Sequence, residues 1–395
     1  MTDTPASTPA AASYPTLGPG LTLFFAIACG ALVANIYYAQ PLLALIGAET
    51  GLAPSAESWL VTAAQIGYGI GLVALVPLGD VFENRRVILL TIAANILSLI
   101  GLALLPGLFA LFALTLVVGM TSTAAQMLVP LAAGMAPPET RGGVVGNVMV
   151  GLIAGILIAR PLAGFLAEQI GWRGVYGASA VLLTAVFAAG LVLFPRRVPT
   201  QSKPYGALIA SLGHLFLHEP VLRRRALFHA AIFASFSMFW TGAPLVLFAQ
   251  GYSATGVAWF SLSGVLGILA APVAGRLADR GHGRAATIGA MLTVMVGFAL
   301  AGFDVLAGFV AAGILIDLGV QANLVVGQRE IFALDAGIRN RLNAVYMATF
   351  FLGGALGSAL TSPVLHSFGW PGVCVLGICF PALALVYLLI GERRG

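Results

Sequence analysis

Long uncharged apolar runs alternate along this chain with short clusters of arginine and acid. A helix needs about 20 mostly apolar residues to cross a hydrocarbon core, so cutting the sequence at its charges marks out the elements. Residues 20–48 hold no charge and predict a first span, and 58–79 a second. The uncharged run 87–138 is too long for one crossing and breaks at Pro106-Gly107 into spans three and four. Span five covers residues 142–167 and contains Arg160; span six is 174–195. The run 226–275 divides at Gly251-Tyr252-Ser253 into spans seven and eight. Span nine is 285–303, and span ten, 305–328, contains Asp317. The run 342–391 divides near Gly369-Trp370-Pro371 into spans eleven and twelve. The pattern predicts an all-α membrane protein of twelve transmembrane helices.

The arginines orient these helices, because loops on the cytoplasmic side carry an excess of basic residues. With both termini in the cytoplasm, the inner segments hold all the basic residues except Arg173, in an outer loop, and Arg160, within span five. The net charge of +5 is therefore a topology signal and says nothing about an anionic partner. Only 8% of the residues are charged, against roughly 25% in a soluble domain, which excludes soluble enzymes and nucleic-acid binders. Cys29, Cys374 and Cys379 have neither metal-ligand spacing nor a disulfide framework. Residues 1–19, rich in Thr, Pro, Ala and Ser, predict a disordered cytoplasmic tail, and without a basic n-region they do not read as a cleaved signal peptide.

Residues 196–225 are the one substantial polar interruption. Within them Leu208, Leu212, Leu215 and Leu217 predict a short helix lying at the inner membrane surface. This linker separates residues 20–195, six spans, from 226–395, six more. The halves repeat. Gly171-Trp172-Arg173-Gly174-Val175 recurs as Gly369-Trp370-Pro371-Gly372-Val373, Arg141 maps onto Arg339, and Gly151-x-x-x-Gly155 maps near Gly353-x-x-x-Gly357. Asp80 and Arg85 stand five apart after span two, as do Asp279 and Arg284 after span eight.

Two such six-helix bundles joined by a cytoplasmic linker resemble the major facilitator superfamily. Val76-Pro77-Leu78-Gly79-Asp80-Val81-Phe82-Glu83-Asn84-Arg85-Arg86 resembles that superfamily's loop 2–3 signature, without its leading Gly and the Arg after the Asp. Gly275-Arg276-Leu277-Ala278-Asp279-Arg280-Gly281-His282-Gly283-Arg284 is the loop 8–9 counterpart. Gly146, Gly155 and Arg160-Pro161-Leu162-Ala163-Gly164 resemble the Gly/Pro-rich signature of proton-antiporting exporters, with Arg160 where Gly is expected. The segments Asn35–Leu43 and Asp317–Gln321 look like bacterial sugar and purine-nucleoside efflux members. The resemblance implies a secondary transporter of the bacterial inner membrane, monomeric, with no cofactor and no metal. It implies proton-coupled export of a small drug-like, sugar-like or nucleoside-like molecule; the alternative is proton-coupled import of a small metabolite or siderophore-like anion. A non-transporting receptor is more distant.

Ionisable residues at membrane depth mark function by default, and there are few. Asp317 lies 13 residues past Asp304, about 20 Å from the outer face. It either carries a coupled proton or contacts substrate, or else holds a permanent pair with Arg160 or a helix cap. Arg160 either snorkels outward or faces the cavity as a fixed charge, since it keeps its proton. His229, near the inner face, titrates in a range that suits coupling, or sits structurally at headgroup level. Asn35, Tyr37, Tyr38, Gln40, Gln65, Tyr68, Gln126, Trp240, Gln321 and Asn323 are the polar residues of otherwise apolar spans. The resemblance, which makes spans one, four, seven and ten line the cavity, favours Tyr38, Gln126, Trp240 and Gln321 as contacts; Asn35, Arg160 and Asn323 complete the candidate cavity residues. It assigns Asp80, Arg85, Arg86, Asp279, Arg280 and Arg284 to gating charge clusters. No phosphate-binding loop, zinc pattern or nucleophile-base pair stands out, so ATP hydrolysis and intramembrane hydrolysis are not expected.

Overall fold

A computed structural model describes residues 18–137, 139–199, 204–335 and 338–391. Most of the expected tail, residues 1–17, lies outside the described residues, as do Lys203, Arg393 and Arg394. The first half contains α1 (Pro19–Ala34), α2 (Ala39–Thr50), α3 (Trp59–Ala74), α4 (Asn84–Leu104), α5 (Leu108–Ser122), α6 (Ala124–Met135) and α7 (Arg141–Leu193). After α8 (Tyr205–His218) come α9 (Pro220–Ala249), α10 (Ala254–Ser261), α11 (Ala270–Asp279), α12 (Gly283–Ala301), α13 (Leu306–Phe332) and α14 (Arg339–Gly391). No strand occurs among the described residues.

Nine helical stretches among the described residues are long and apolar enough to cross a membrane, and the pair α1–α2, bent by 42°, makes a tenth. The bend falls where Pro41 has no N–H to offer the carbonyl four residues back. Helices α7 and α14 have 53 residues each. Straight, either would run about 80 Å, far beyond a hydrocarbon core of about 30 Å. Each is broken at a glycine of positive φ, Gly171 (φ 69°) and Gly369 (φ 65°), so each supplies two spans and the total is twelve. The tryptophan after each glycine pins the corner. Trp172 donates its indole N–H to Glu49 Oε2 at 2.6 Å, and Trp370 donates to the Ala301 carbonyl at 2.8 Å. The breaks expected at Pro106-Gly107 and Gly251 also fall in the loops between α4 and α5 and between α9 and α10, with φ of 100° and 89° at the glycines.

Lipid gives helices little hydrophobic reason to associate, so close backbone approach matters more. A Cβ on Gly151 would lie 2.4 Å from the Ala26 carbonyl oxygen, and one on Gly155 2.3 Å from that of Gly30, so α7 crosses α1 backbone to backbone. In the second half, Cβ atoms on Gly353 and Gly357 would lie 2.3 and 2.0 Å from the carbonyl oxygens of Ala230 and Ala234 on α9. The repeated glycine pairs thus make the same crossing twice.

The halves meet where α3 packs on α14, α7 on α10 and α2 on α9. At the end opposite the start of α1, Ser58 and Ser362 each donate a backbone N–H to the other's Oγ at 3.1 Å. Thr62 and Ser358 share a 2.9 Å hydrogen bond one turn deeper, and Gln65 Nε2 donates to Ser237 Oγ at 2.8 Å below that. Near the other end α8 covers α14, burying Leu208, Leu212 and Leu215 but leaving Leu217 exposed. Helix α9 begins at Pro220, earlier than the expected 226, because proline suits a first helical turn. Arg223, Arg224 and Arg225 therefore ride on the helix itself.

Candidate functional site

Helix α7 carries Arg160 into the middle of the molecule, where it is 2% exposed. Its Nε donates to Gln40 Oε1 on α2 at 2.8 Å. Three rings surround the guanidinium, with centroids at 5.4 Å (Tyr37), 5.1 Å (Phe236) and 4.2 Å (Trp240). A desolvated cation over an indole gains about 2 kcal/mol or more. The last two rings stand one turn apart on α9, so the arginine of one half is held by aromatics of the other.

Trp240 also serves the acid. Its indole N–H donates to Asp317 Oδ2 on α13 at 2.8 Å, and Asp317 is 2% exposed. No direct ion pair joins Asp317 to Arg160, yet each is the main charge acting on the other. The 3-10 stretch Leu262–Leu269 closes over them through glycines. A Cβ on Gly267 would lie 2.4 Å from Asp317 Cβ, and one on Gly264 2.8 Å from Trp240 Cζ2. Arg160, Gln40, Trp240 and Asp317 thus form an occluded cluster that spans both halves.

The other expected residues lie elsewhere. His229 is buried on α9 three turns, about 16 Å, from Trp240, with Asn323 Nδ2 at 2.9 Å from its Nδ1 and Phe350 stacked at 4.5 Å. Asn35 accepts from Ser179 at 2.6 Å and contacts Asn95 at 3.3 Å, inside the first half. Gln126 donates to the Tyr68 hydroxyl at 3.1 Å. Tyr38 packs edge-on against Tyr176, and Gln321 is half-buried one turn beyond Asp317. Phe236 was not among the expected cavity residues; its spacing of four from Trp240 was the available signal.

A cavity of about 820 Å³ is a furrow between α1 and the first part of α7. Exposed Leu23, Ile27, Val150 and Ile158 line it, no charged residue does, and it reaches neither Arg160 nor Asp317. We place the candidate site at the charged cluster, since two opposite charges buried together need a reason that an apolar furrow does not. Among the described residues no group of His, Cys, Asp and Glu could hold a metal.

The profile of the Major Facilitator Superfamily matches residues 23–331. The chain belongs to this superfamily. "Uncharacterized transporter YgaY" of Escherichia coli O157:H7 is 39% identical, covering 95% of this chain and 96% of its own length. "Probable transporter SCO4007" of Streptomyces coelicolor is 33% identical, covering 99% and 92%. A crystal structure of the nucleoside transporter NupG aligns with a TM-score of 0.75 over 94% of this chain and 99% of that one; at 13% identity it speaks for the fold alone. The protein is a multi-pass membrane transporter with the twelve-helix major facilitator fold.

The charge-motif residues lie around the junctions between α3 and α4 and between α11 and α12. Asp279 pairs with Arg329 of α13 at 3.1 Å. Arg86 pairs with Glu83 at 2.9 Å, and Arg85 donates to the Leu191 carbonyl. Asp80 feels the charge of Arg341 at the start of α14, across the two halves. Arg280 is exposed at the turn between α11 and α12, and Arg284 on the first turn of α12.

Proposed function

We propose that this transporter is a proton-coupled carrier of a small organic molecule in the bacterial inner membrane, with Asp317 loading the proton and Arg160 as the fixed charge. Residues 20–195 and 226–395 act as two rigid halves joined by the linker 196–225, with both termini cytoplasmic and one chain sufficient. The observation that carries this reading is Trp240, which holds Asp317 by its N–H and Arg160 on its face. Ionised Asp317 is the counter-charge of Arg160, and a proton on Asp317 removes it. That changes the attraction between the halves, because Arg160 belongs to one and Asp317 to the other. A binding event can bias alternating access only through such a difference between states.

The sign of coupling follows from what the substrate does at the pair. A substrate group that neutralises Arg160 binds best when Asp317 is protonated, so substrate and proton travel together and uptake is the direction we favour. Export by exchange, the direction expected from the Gly/Pro signature around Pro161, is the second reading; it requires a substrate that excludes the proton from Asp317. The test is proton movement in inverted vesicles, followed with a pH-sensitive dye while candidate compounds are added to wild type and Asp317→Asn. Compound-dependent proton movement in the wild type alone supports the reading, and its sign gives the direction. Equal movement in both proteins removes Asp317 from the mechanism.

A further inference from the structure

The central cluster leaves two donors without partners. Gln40 Nε2 and Arg160 Nη2 are both buried and unbonded, although their side chains are already joined through Arg160 Nε and Gln40 Oε1. That bond fixes the guanidinium and sets which end of the amide accepts, so the remaining Gln40 atom is a donor. The Arg160 atom can only donate. Buried polar groups are almost always satisfied, and an unpaired buried charge is costlier still. Two buried donors on side chains bonded to each other, one of them part of the cation, call for an oxygen acceptor that carries negative charge. Asp317 does not fill this place, because it is held across the indole by Trp240 Nε1 and makes no ion pair with Arg160.

A third orphan narrows the ligand further. Ser263 Oγ is buried and unbonded. A Cβ on Gly313 would lie 2.4 Å from it and 3.5 Å from Trp240 Cη2, so this hydroxyl lies beside the indole. Three aromatic rings, Tyr37, Phe236 and Trp240, flank the cation. One cation provides for one anionic group.

We infer that the site takes a small hydroxylated monocarboxylate, its carboxylate on Arg160 Nη2 and Gln40 Nε2 and its hydroxyl on Ser263. This rests on the reading that the cluster is the transport site. It goes further by naming the ligand's chemistry, and binding tests it without any transport step.

The experiment is tryptophan-fluorescence titration of the full chain in lipid nanodiscs with three probes: lactate, lactamide, which lacks the charge, and propionate, which lacks the hydroxyl. Lactate is expected to bind wild type, lactamide not to, and propionate more weakly than lactate. Gln40→Glu keeps the partner of Arg160 but puts a carboxylate where the donor was, and should weaken lactate at least about tenfold. Ser263→Ala should erase the difference between lactate and propionate. Asp317→Asn removes the competing negative charge and should tighten lactate by about tenfold, a gain that misfolding cannot produce. Three results overturn the inference: lactamide binding as well as lactate, lactate unaffected by Gln40→Glu, or no acid binding to either wild type or Asp317→Asn. Failure of the transport reading looks different, because proton movement would then be unaltered in Asp317→Asn while acid binding persisted.

Discussion

Removing the paired serines should loosen the end of the bundle where the two halves are latched. Ser58 and Ser362 exchange two N–H···Oγ hydrogen bonds of 3.1 Å, and Ser58→Ala with Ser362→Ala deletes both acceptors without touching the backbone. A net contribution of about 0.5–1.5 kcal/mol for each bond makes about 1–3 kcal/mol together. At tenfold for each 1.4 kcal/mol, that is a shift of about 5- to 150-fold toward the open end. The Thr62–Ser358 and Gln65–Ser237 bonds remain, so the halves should part more often and still close. Spin labels at Ala53 and His366, both exposed near the latch, would report their separation by pulsed EPR, with exposed Cys379 replaced by serine. A longer-distance population should grow in the double variant, and in part in each single one. An unchanged distance distribution in the double variant would refute the idea that these bonds hold the halves together.

Three further outcomes are expected. Gly151→Ala and Gly353→Ala should each lower thermal stability in detergent by about 1–3 kcal/mol, because the added methyl meets a carbonyl 2.4 or 2.3 Å away. Gly289→Ala, in open space on α12, should be neutral or stabilising; equal losses at all three sites would contradict the packing argument. Asn95 donates to the Val118 carbonyl, Thr121 Oγ1 and Ser122 Oγ, so Asn95→Leu should cost about 1–2 kcal/mol at roughly 0.6 per intramembrane bond; an unchanged melting temperature would show the network to be idle. Arg225 is 6% exposed and bonded to Glu330 and to Thr287 Oγ1, so Glu330→Gln should lower stability by about 2 kcal/mol. Arg225→Met combined with Glu330→Met should regain part of that loss, and a double variant weaker than the single would argue otherwise.

The span limits were legible because charges and glycines punctuate uniformly apolar helices. The repeated Gly-Trp pair marked the broken corners of α7 and α14, and the repeated small residues marked the crossings with α1 and α9. That same uniformity hid the rotation of each helix. A span apolar on every side has no polar face to orient it, so sequence could place Arg160 and Asp317 at depth but not against the same ring. Asn35 and Asn323 show the converse. A polar residue inside a membrane helix must find a partner whether or not it serves transport, and these two find theirs in Ser179 and His229. Phe236 escaped notice because an apolar ring in an apolar helix announces nothing until a guanidinium lies over it.

The account depends most on a proton that comes and goes at Asp317. Infrared difference spectroscopy of the protein in liposomes, with the buffer stepped between acid and base, tests this without knowing the substrate. The account predicts a protonated-carboxyl carbonyl band that appears on acidification in wild type and is missing in Asp317→Asn. The same band in both proteins would assign the proton to another acid, and its absence from wild type would contradict the proposed carrier outright.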